Sequence, residues 1–450
     1  MSNKVEDKTM KPAAKRALVP KLRFPEFRDA GEWAEKKLID TTDKKIRWSF
    51  IGGPFGSNLK SSDYVDEGVR IIQLQNIGDA EFIDDYRIFT SEEKADELLS
   101  NNIYPGDIIL SKMGDPVGRA CLIPDTHNRY VMCSDGIRLV VDEKINSKYF
   151  IYLLINSKHF RPLVEKTATG STRKRIGLDE LKNLPILLPK KSEQQKIADC
   201  LASLDELITL EAQKLDTLKT HKKGLMQQLF PAEGETLPKL RFPEFREAGE
   251  WERKQLREIT SEFLDGDWIE SKDQSNKGIR LLQTGNVGVG IFIPKVENSR
   301  YIPEETFHRL HCEEVFPGDC LISRLPDPAG RSCLVPEIGQ RMITAVDCTI
   351  VRFDKQQIIP YIFVLYSQTD QYFQEVSSLC SGSTRQRISR ENLAQLTIAL
   401  PEIREQQKIA DCLSSLDELI TLEAQKLDTL KTHKKWLMQQ LFPALDEVQE

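Results

Sequence analysis

The chain repeats itself, and this internal duplication constrains its fold more than any other feature of the sequence. PKLRFPEFRDAGEWAEKKL at Pro20–Leu38 returns as PKLRFPEFREAGEWERKQL at Pro238–Leu256, with 15 of 19 positions identical. A 39-residue segment at Glu193–Pro231 returns at Glu405–Pro443 with 37 identities. A spacing of 212 residues is too long for a solenoid repeat. We therefore expect two homologous domains related by an approximate twofold axis; a recent duplication without functional asymmetry is the alternative.

The near-identical 39-residue segments predict two long helices that pair with each other. Their apolar residues recur at steps of four and three, which is a heptad pattern, interrupted in each copy by one acidic and one basic residue. An antiparallel pairing would place Glu211 opposite Lys434 and Lys222 opposite Glu423, whereas a parallel pairing would oppose like charges. We expect an intramolecular antiparallel coiled coil; two helices packed separately on their own domains are the alternative. The predicted seam comprises Ile197, Leu201, Leu204, Ile208, Glu211, Leu215, Leu218, Lys222, Leu225, Ile409, Leu413, Leu416, Ile420, Glu423, Leu427, Leu430, Lys434 and Leu437.

The segments between the repeats have diverged but remain related. Tyr104–Pro124 matches Phe316–Pro336 at 11 of 21 positions, whereas residues 39–67 and 257–277 do not align. Short β-rich runs bounded by turn signals alternate with helical patterns in both copies. The predicted fold class is α/β (α+β): two homologous mixed α/β domains, separated by two long helices that form the antiparallel coiled coil, with pseudo-twofold symmetry.

The sequence offers no convincing catalytic or metal-binding constellation. A nuclease-like pattern can be read through Asp125, Asp142 and Lys144, but the second copy lacks its spacing, and so short a pattern often arises by chance. The His/Cys cluster at 308–312 has no fourth ligand spaced nearby, so a solvated helix face is the favoured interpretation. We predict neither catalytic residues nor a metal site in this chain.

Composition restricts the location and the partners of the chain. A formal net charge of −6 gives no global attraction to nucleic acid, so any DNA-binding basic residues must gather on one face. Nine cysteines without a CxxC pair indicate neither a disulfide framework nor a thiolate zinc site. The N-terminal segment is charged, and no apolar run approaches the ~18 residues that a membrane helix needs. We expect a soluble, reduced, cytoplasmic protein with no membrane partner.

Two basic loops at equivalent places in the two copies favour contact with nucleic acid. GSTRKR at residues 170–175 and GSTRQR at residues 382–387 combine glycine, hydroxyls and arginine. Such loops can hydrogen-bond phosphate oxygens, and arginine can fork onto phosphate or guanine. Basic residues also flank a turn in each copy, although the arginines there could instead pair with Asp115 and Asp327. The predicted DNA-binding residues are Lys112, Arg119, Ser171, Thr172, Arg173, Lys174, Arg175, Arg324, Arg331, Ser383, Thr384, Arg385, Gln386 and Arg387.

Four amide side chains are candidates for reading bases. Gln73 and Asn76 in the first copy correspond to Gln283 and Asn286 in the second. Asparagine and glutamine can form two hydrogen bonds with adenine in the major groove. Amides at such turns also serve local structure, which is the alternative interpretation.

The duplicated helix resembles the specificity subunit of type I restriction–modification systems. The PKLRFPEFR lead-in, Gly53–Ser57 and Asp265–Trp268 at the start of the inserts, and the GSTR loops carry the same resemblance, which covers about residues 20–443. It implies two target-recognition domains, each reading one half of an asymmetric bipartite DNA site, and helices that set the gap and dock modification subunits. We divide the chain into a disordered N-terminal tail (1–19), target-recognition domain 1 with its lead-in (20–190), spacer helix 1 (191–231), the linker, lead-in and target-recognition domain 2 (232–402), spacer helix 2 (403–443) and a C-terminal tail (444–450).

The same resemblance implies a subunit that is not itself catalytic. Its implied partners are double-stranded DNA, two modification (adenine methyltransferase) subunits and restriction (endonuclease/translocase) subunits. S-adenosylmethionine, Mg²⁺ and ATP would then bind only to those partners, and none to this chain. Candidate docking residues for the partners are Phe24, Phe27, Glu206, Glu211, Lys214, Lys219 and Lys223, although packing within the chain is an equal alternative. A coiled-coil scaffold with protein-binding inserts and a stand-alone restriction nuclease are the rival functions.

Overall fold

The computed structural model describes residues 18–382 and 386–443, which divide into two compact units. The first unit contains residues 18–211 and 426–443, and the second contains the described residues from 212 to 425. Most of the predicted N-terminal tail and the whole C-terminal tail lie outside the described residues. Leu18 already belongs to the first unit, because its carbonyl accepts a hydrogen bond from the Trp33 N–H at 2.8 Å. No helix in the described part of the chain has the length and apolar character needed to span a membrane.

The first unit is built from small sheets with helices packed against them. A four-stranded antiparallel sheet has the order β2-β11-β7-β9, and a five-stranded mixed sheet has the order β3-β5-β4-β10-β6, in which β4 and β10 are parallel. The pairs β1-β13 and β8-β12 are separate two-stranded sheets. The elements are β1 Ala34–Lys37, β2 Phe50–Gly52, β3 Tyr64–Val65, β4 Val69–Ile72, β5 Ile88–Thr90, α1 Glu92–Glu97, β6 Asn102–Ile103, β7 Ile108–Ser111, β8 Met113–Gly114, β9 Ala120–Leu122, β10 Tyr130–Met132, β11 Gly136–Leu139, α2 Lys148–Ile155, α3 Arg161–Thr167, β12 Lys174–Arg175, α4 Leu178–Asn183, β13 Pro185–Leu188 and α5 Lys191–Leu229, whose second half belongs to the other unit.

The second unit repeats this plan. Its four-stranded antiparallel sheet has the order β15-β22-β19-β20, and its mixed sheet has the order β17-β16-β21-β18 with β16 and β21 parallel. The predicted mixed α/β class and the duplication are thus confirmed. The elements are β14 Glu252–Gln255, β15 Thr260–Asp265, β16 Ile279–Leu282, β17 Arg300–Ile302, α6 Glu304–Leu310, β18 Glu314–Val315, β19 Cys320–Ser323, β20 Ser332–Leu334, β21 Met342–Thr344, β22 Cys348–Phe353, α7 Pro360–Tyr366, α8 Asp370–Leu379, α9 Arg390–Gln395, β23 Thr397–Leu400 and α10 Ile403–Leu441, whose last part belongs to the first unit.

Each unit pairs the beginning of one long helix with the end of the other. In the first unit, Leu441 and Phe442 at the end of α10 pack into the core that contains Ile197 and Leu201 near the start of α5. In the second unit, the end of α5 enters the core around Ile409 and Leu413 of α10. Both units therefore show the antiparallel helix pair that the heptad pattern predicts. All predicted seam residues are buried or half-buried, which is the burial expected of positions at a helix–helix interface.

The charged pairs within the coiled coil differ from those predicted. Glu211 pairs with Lys426, and Lys434 pairs with Asp205, so the expected Glu211–Lys434 pairing is wrong. Lys222 donates to both carboxylate oxygens of Asp417 at 2.6 and 2.8 Å. Its expected partner, Glu423, pairs with Lys214 instead. The pairing keeps the antiparallel direction but shifts the partners by six to eight residues, about one heptad, because neighbouring heptads present nearly the same apolar face.

A buried ion pair fixes the lead-in segment to the start of each long helix. Arg23 donates Nε–H and Nη2–H to the two carboxylate oxygens of Glu193 at 2.8 and 2.7 Å. Arg241 and Glu405 repeat this geometry in the second unit, at 2.7 Å for both bonds. The hydrogen bond to Glu193 raises the pKa of the Arg23 guanidinium. Because a bidentate buried pair needs both partners, this contact explains why the lead-in and the helix start have been preserved together in the two copies.

Candidate nucleic-acid interface

The basic loop of the first unit, residues 170–175, is exposed and tightly closed. Thr169 and Arg175 exchange backbone hydrogen bonds at 2.9 and 2.8 Å. Gly170 has φ +110°, and a Cβ there would lie 2.8 Å from the Arg173 carbonyl oxygen, so the turn requires glycine. Within the described part of the chain, no acidic side chain pairs with Arg173 or Lys174. The two cations are therefore free to meet an external anion.

The equivalent loop of the second unit, residues 382–387, is closed in the same way. Ser381 and Arg387 exchange backbone hydrogen bonds at 2.9 Å in both directions, and Gly382 has φ +103°. Gln386 and Arg387 are exposed. The predicted DNA-binding residues at 383–385, Ser383, Thr384 and Arg385, lie outside the described residues.

An acidic residue anchors the last arginine of each basic loop. Arg175 donates to Asp135 at 3.1 Å, and Arg387 pairs with Asp347 at 3.0 Å. The backbone of Asp135 also accepts a hydrogen bond from the Lys112 N–H at 2.6 Å. These contacts hold the basic loop, the segment around Lys112 and the loop around Asp135 on one surface, although residues 112, 135 and 175 are far apart in sequence.

Two of the predicted DNA-binding arginines are unavailable to DNA. The Arg331 guanidinium donates to the carbonyl oxygens of Val287, Leu325, Pro328 and Thr284 at 2.6 to 3.0 Å, and burial lowers its pKa. This network fixes two loops and replaces both the predicted phosphate contact and the alternative pairing with Asp327.

Arg324 is also buried. Its guanidinium donates to the Val346 carbonyl and lies 3.3 Å from Asp265. A phosphate contact would require both interactions to break, so we correct the prediction for this residue. Lys112 and Arg119 in the first unit are half-buried, and Arg119 lies 3.5 Å from the Leu74 carbonyl oxygen.

The two candidate asparagines stabilise turns and do not read bases. Asn76 is fully buried; its Oδ1 accepts from the Gln73 N–H at 2.9 Å, and its Nδ2 donates to the Ile83 carbonyl at 2.8 Å. Asn286 makes the same two hydrogen bonds in the second unit, at 2.9 and 2.8 Å. The alternative interpretation is therefore correct for both asparagines. Gln73 and Gln283 are half-buried at the start of these turns, and Gln73 Nε2 lies 3.2 Å from the Tyr64 hydroxyl.

Two exposed aromatic residues beside this surface were missed as site residues. Phe55 is 83% exposed and Trp268 is 71% exposed. Phe55 stands at a pocket of about 220 Å³ that Gln73, Leu74 and Asp135 also line. The segments that carry these aromatics do not align in sequence; the usable signal was an aromatic two residues after a glycine at the start of each insert.

The residues considered for catalysis do not assemble into a site. Asp142 Oδ1 accepts a hydrogen bond from the Lys144 N–H at 3.0 Å, which closes a local turn, and Asp125 lies in an exposed loop. In the 308–312 cluster, His308 is exposed and Cys312 is buried. Within the described ranges, no group of three or more His, Cys, Asp or Glu side chains is arranged to hold a metal ion.

Sequence comparison places this architecture in a known family. The signature of the type I restriction modification DNA specificity domain matches residues 67–220 and 249–432, one match in each copy of the duplication. The chain belongs to this family, whose members supply the DNA-recognition function of type I restriction–modification systems.

Individual relatives agree with the family assignment. The type I restriction enzyme MjaVIII specificity subunit of Methanocaldococcus jannaschii is 24% identical over 353 residues, covering 76% of each chain. The putative MjaX specificity subunit of the same organism is 23% identical over 386 residues, covering 82% of this chain and 85% of the relative. The crystal structure of the type I restriction–modification S subunit from M. genitalium has the same fold, with a TM-score of 0.57, 16% identity and coverage of 95% and 100% of the two chains.

Proposed function

We propose that this chain reads a bipartite DNA site, one half with each unit, and that it performs no chemistry itself. The observation that carries the proposal is the basic loop that recurs in both units, at residues 170–175 and 382–387, beside turns at residues 112–119 and 324–331 that match at only four of eight positions. A shared basic loop suits the phosphate backbone, which is the same in every sequence. Diverged neighbouring turns suit base edges that differ between half-sites, so the two halves of the site should differ.

The long helices are proposed to set the unread gap and to dock two modification subunits. S-adenosylmethionine, Mg²⁺ and ATP are assigned to those subunits and to the restriction subunits. A solved structure with the same fold, at a TM-score of 0.53, 15% identity and 91% coverage of this chain and 97% of its own, is described as showing complex assembly of the type I restriction–modification system. It supports assembly with partner subunits as the setting for this chain.

Replacement of Arg173 by Ala tests the role of the basic loops. Because each phosphate contact releases counterions, Arg173→Ala should weaken binding to a duplex carrying the site and reduce the slope of log K against log salt by about 0.9. The site is first located by sequencing methylated bases in a host with and without the gene. Binding is then measured by fluorescence anisotropy at several salt concentrations.

Lys36→Ala is the matched control, since Lys36 is an exposed cation on β1, in a different sheet. An unchanged affinity and slope for Arg173→Ala would remove the loop from the interface. Specific retention of the duplex without methyl transfer or nicking by the purified chain supports the proposal. Failure to retain any duplex would favour a protein-binding scaffold, and nicking would favour a nuclease.

A further inference from the structure

An exposed aromatic residue occupies the same structural position in both units. Gly53 donates its N–H to the Gly136 carbonyl at 2.7 Å, and Gly266 donates to the Cys348 carbonyl at 3.0 Å. Gly136 and Cys348 are the first residues of β11 and β22, the corresponding strands of the two units. Phe55 follows the first glycine by two residues and Trp268 follows the second by two residues. The two aromatics are therefore structural equivalents within segments whose sequences do not align.

The glycines hold these segments against the loops that bear the acidic anchors. A Cβ added at Gly53 would lie 1.7 Å from the Cys133 carbonyl oxygen, and one added at Gly266 would lie 2.3 Å from the Ala345 carbonyl oxygen. The contacted residues, Cys133 and Ala345, each lie two positions before the acidic anchor of a basic loop. These anchors are Asp135, which binds Arg175, and Asp347, which binds Arg387. The close backbone approach places the segment that carries each aromatic near the acidic anchor of the basic loop of its own unit, and Phe55 and Asp135 line the same pocket.

The aromatic rings are not part of a hydrophobic core. Phe55 is 83% exposed and Trp268 is 71% exposed, and neither belongs to the buried clusters of its unit. Beneath Phe55, Tyr64, Gln73 and Ser134 line the 220 Å³ pocket and give its floor both apolar and hydrogen-bonding groups. An exposed ring near the cations of a basic loop, Arg173 and Lys174 in the first unit and Arg387 in the second, is the arrangement that proteins use to stack on nucleobases while cations hold the phosphates.

We propose that Phe55 and Trp268 stack on DNA bases, one aromatic in each half of the bipartite site, and partly unstack the base step that they contact. This inference rests on the proposed DNA-reading function and adds to it the residues that touch base faces. Stacking is tolerant of sequence because every base has a π-face. The aromatics would therefore supply affinity and local deformation, and the diverged turns beside them would supply the choice of base.

The fluorescence of Trp268 can be used to test whether this side chain contacts DNA bases. The chain has five tryptophans, so the contribution of Trp268 is the difference between the wild-type chain and Trp268→Phe. Addition of the duplex that carries the methylated site should quench this difference signal and shield it from acrylamide. Trp436→Phe is the matched control, because Trp436 is 49% exposed on α10 and should leave the quenching unchanged.

The outcomes separate this inference from the proposed function. Specific binding in a mobility-shift assay with equal quenching in wild type and Trp268→Phe would overturn the stacking contact and leave the DNA-reading function standing. Absence of specific binding by the wild-type chain would overturn both. Loss of the quenching in Trp268→Phe, with its retention in Trp436→Phe, supports the contact.

Affinity and chemical footprinting test Phe55 in the same way. Phe55→Ala should weaken specific binding about tenfold, whereas Phe55→Trp should retain it, since loss of one base–aromatic stack has an effect of this order. Permanganate reactivity of unstacked thymines should fall in only one half of the site for Phe55→Ala, and in only the other half for Trp268→Ala. Phe316→Ala is the control, because Phe316 is an exposed aromatic that precedes β19, whereas the opposite end of that strand leads to Arg324, whose carbonyl accepts a hydrogen bond from Ile388 beside the basic loop. Wild-type affinity and reactivity in Phe55→Ala would contradict the proposal.

Discussion

Gly224 and Trp436 are equivalent positions in the repeated segments 193–231 and 405–443, which differ at only two of 39 places. A Cβ added at Gly224 would find no heavy atom within 4 Å, so α5 has room for a side chain there. Because glycine in a helix interior is less stable than alanine by about 1 kcal/mol, Gly224→Ala should raise the free energy of unfolding by about that amount. Urea denaturation followed by circular dichroism measures the change. Gly53→Ala, which would place a Cβ 1.7 Å from a carbonyl oxygen, should instead lower stability; equal effects of the two variants would contradict this account.

Asp267, beside Trp268, is expected to make the stability of the second unit depend on pH. Burial raises the pKa of Asp267 to about 6, although its Oδ2 accepts a hydrogen bond from the Glu313 N–H at 3.1 Å. A carboxyl whose pKa is higher in the folded state favours folding while protonated, so its contribution falls as pH rises from about 4 to about 6 and stays lost above that range. The thermal midpoint of Asp267→Asn should therefore decline less between pH 5 and pH 7.5 than that of the wild type.

Asp354→Asn is the control for this pH dependence. A hydrogen bond from Gln357 lowers the pKa of Asp354, so its replacement should not reproduce the effect. If the thermal midpoints of the wild type and Asp267→Asn changed with pH in parallel, ionisation of Asp267 would not destabilise the folded state, and the prediction would be wrong.

Among the elements, the coiled coil depends on specific cross-helix charge pairs. Lys222 is nearly buried and bonds both oxygens of Asp417, which also accepts a hydrogen bond from the Tyr361 hydroxyl. Lys222→Asp should lower the free energy of unfolding by about 1–2 kcal/mol, between the values for exposed and buried pairs. Adding Asp417→Lys should recover part of this loss, since the swapped charges attract again.

A four-variant cycle measures this coupling, because it separates the pair from the lost Tyr361 contact. Lys219→Asp, a reversal at an exposed position one turn earlier, should have a small effect. A coupling energy of zero between Lys222 and Asp417 would show that the pair does not contribute to helix pairing.

The long helices and their direction could be predicted from sequence, whereas their charge pairs and much of the site could not. Heptad spacing fixes which helix face is buried, but registers one heptad apart bury similar leucines, so Lys222 was assigned the wrong acidic partner. At the site, Asn76 and Arg331 have the residue types that bind DNA, yet backbone carbonyl groups, near in sequence for Asn76 and both near and distant for Arg331, occupy their donors. Phe55 and Trp268 are equivalent because the backbone at a nearby glycine packs closely against the same loop in each unit. Such a backbone contact does not require similar side chains around it, so the two sequences do not align there.

At the scale of the whole molecule, the proposed spacer role predicts that the length of the long helices determines the number of unread base pairs between the two half-sites. Duplicating residues 212–218 in α5 and 424–430 in α10 adds one heptad to each while preserving the seam. Seven residues add about 10 Å at 1.5 Å per residue, and this length corresponds to about three base pairs. Methylated-base sequencing should then show the same two half-sites with a gap wider by about three. A change in the bases of either half-site, or an unchanged gap, would contradict a spacer role.

The core of the first unit includes Leu441 and Phe442, which follow the whole of the second unit in the chain. During synthesis, residues 18–211 are joined to the chain more than two hundred residues before those two side chains. The aromatic cluster of Trp33, Phe150 and Phe442 therefore stays open until the end of α10 has been made. A chain interrupted after its first half would lack Leu441 and Phe442, and the apolar face around Trp33 and Phe150 would have no residue of its own chain to cover it.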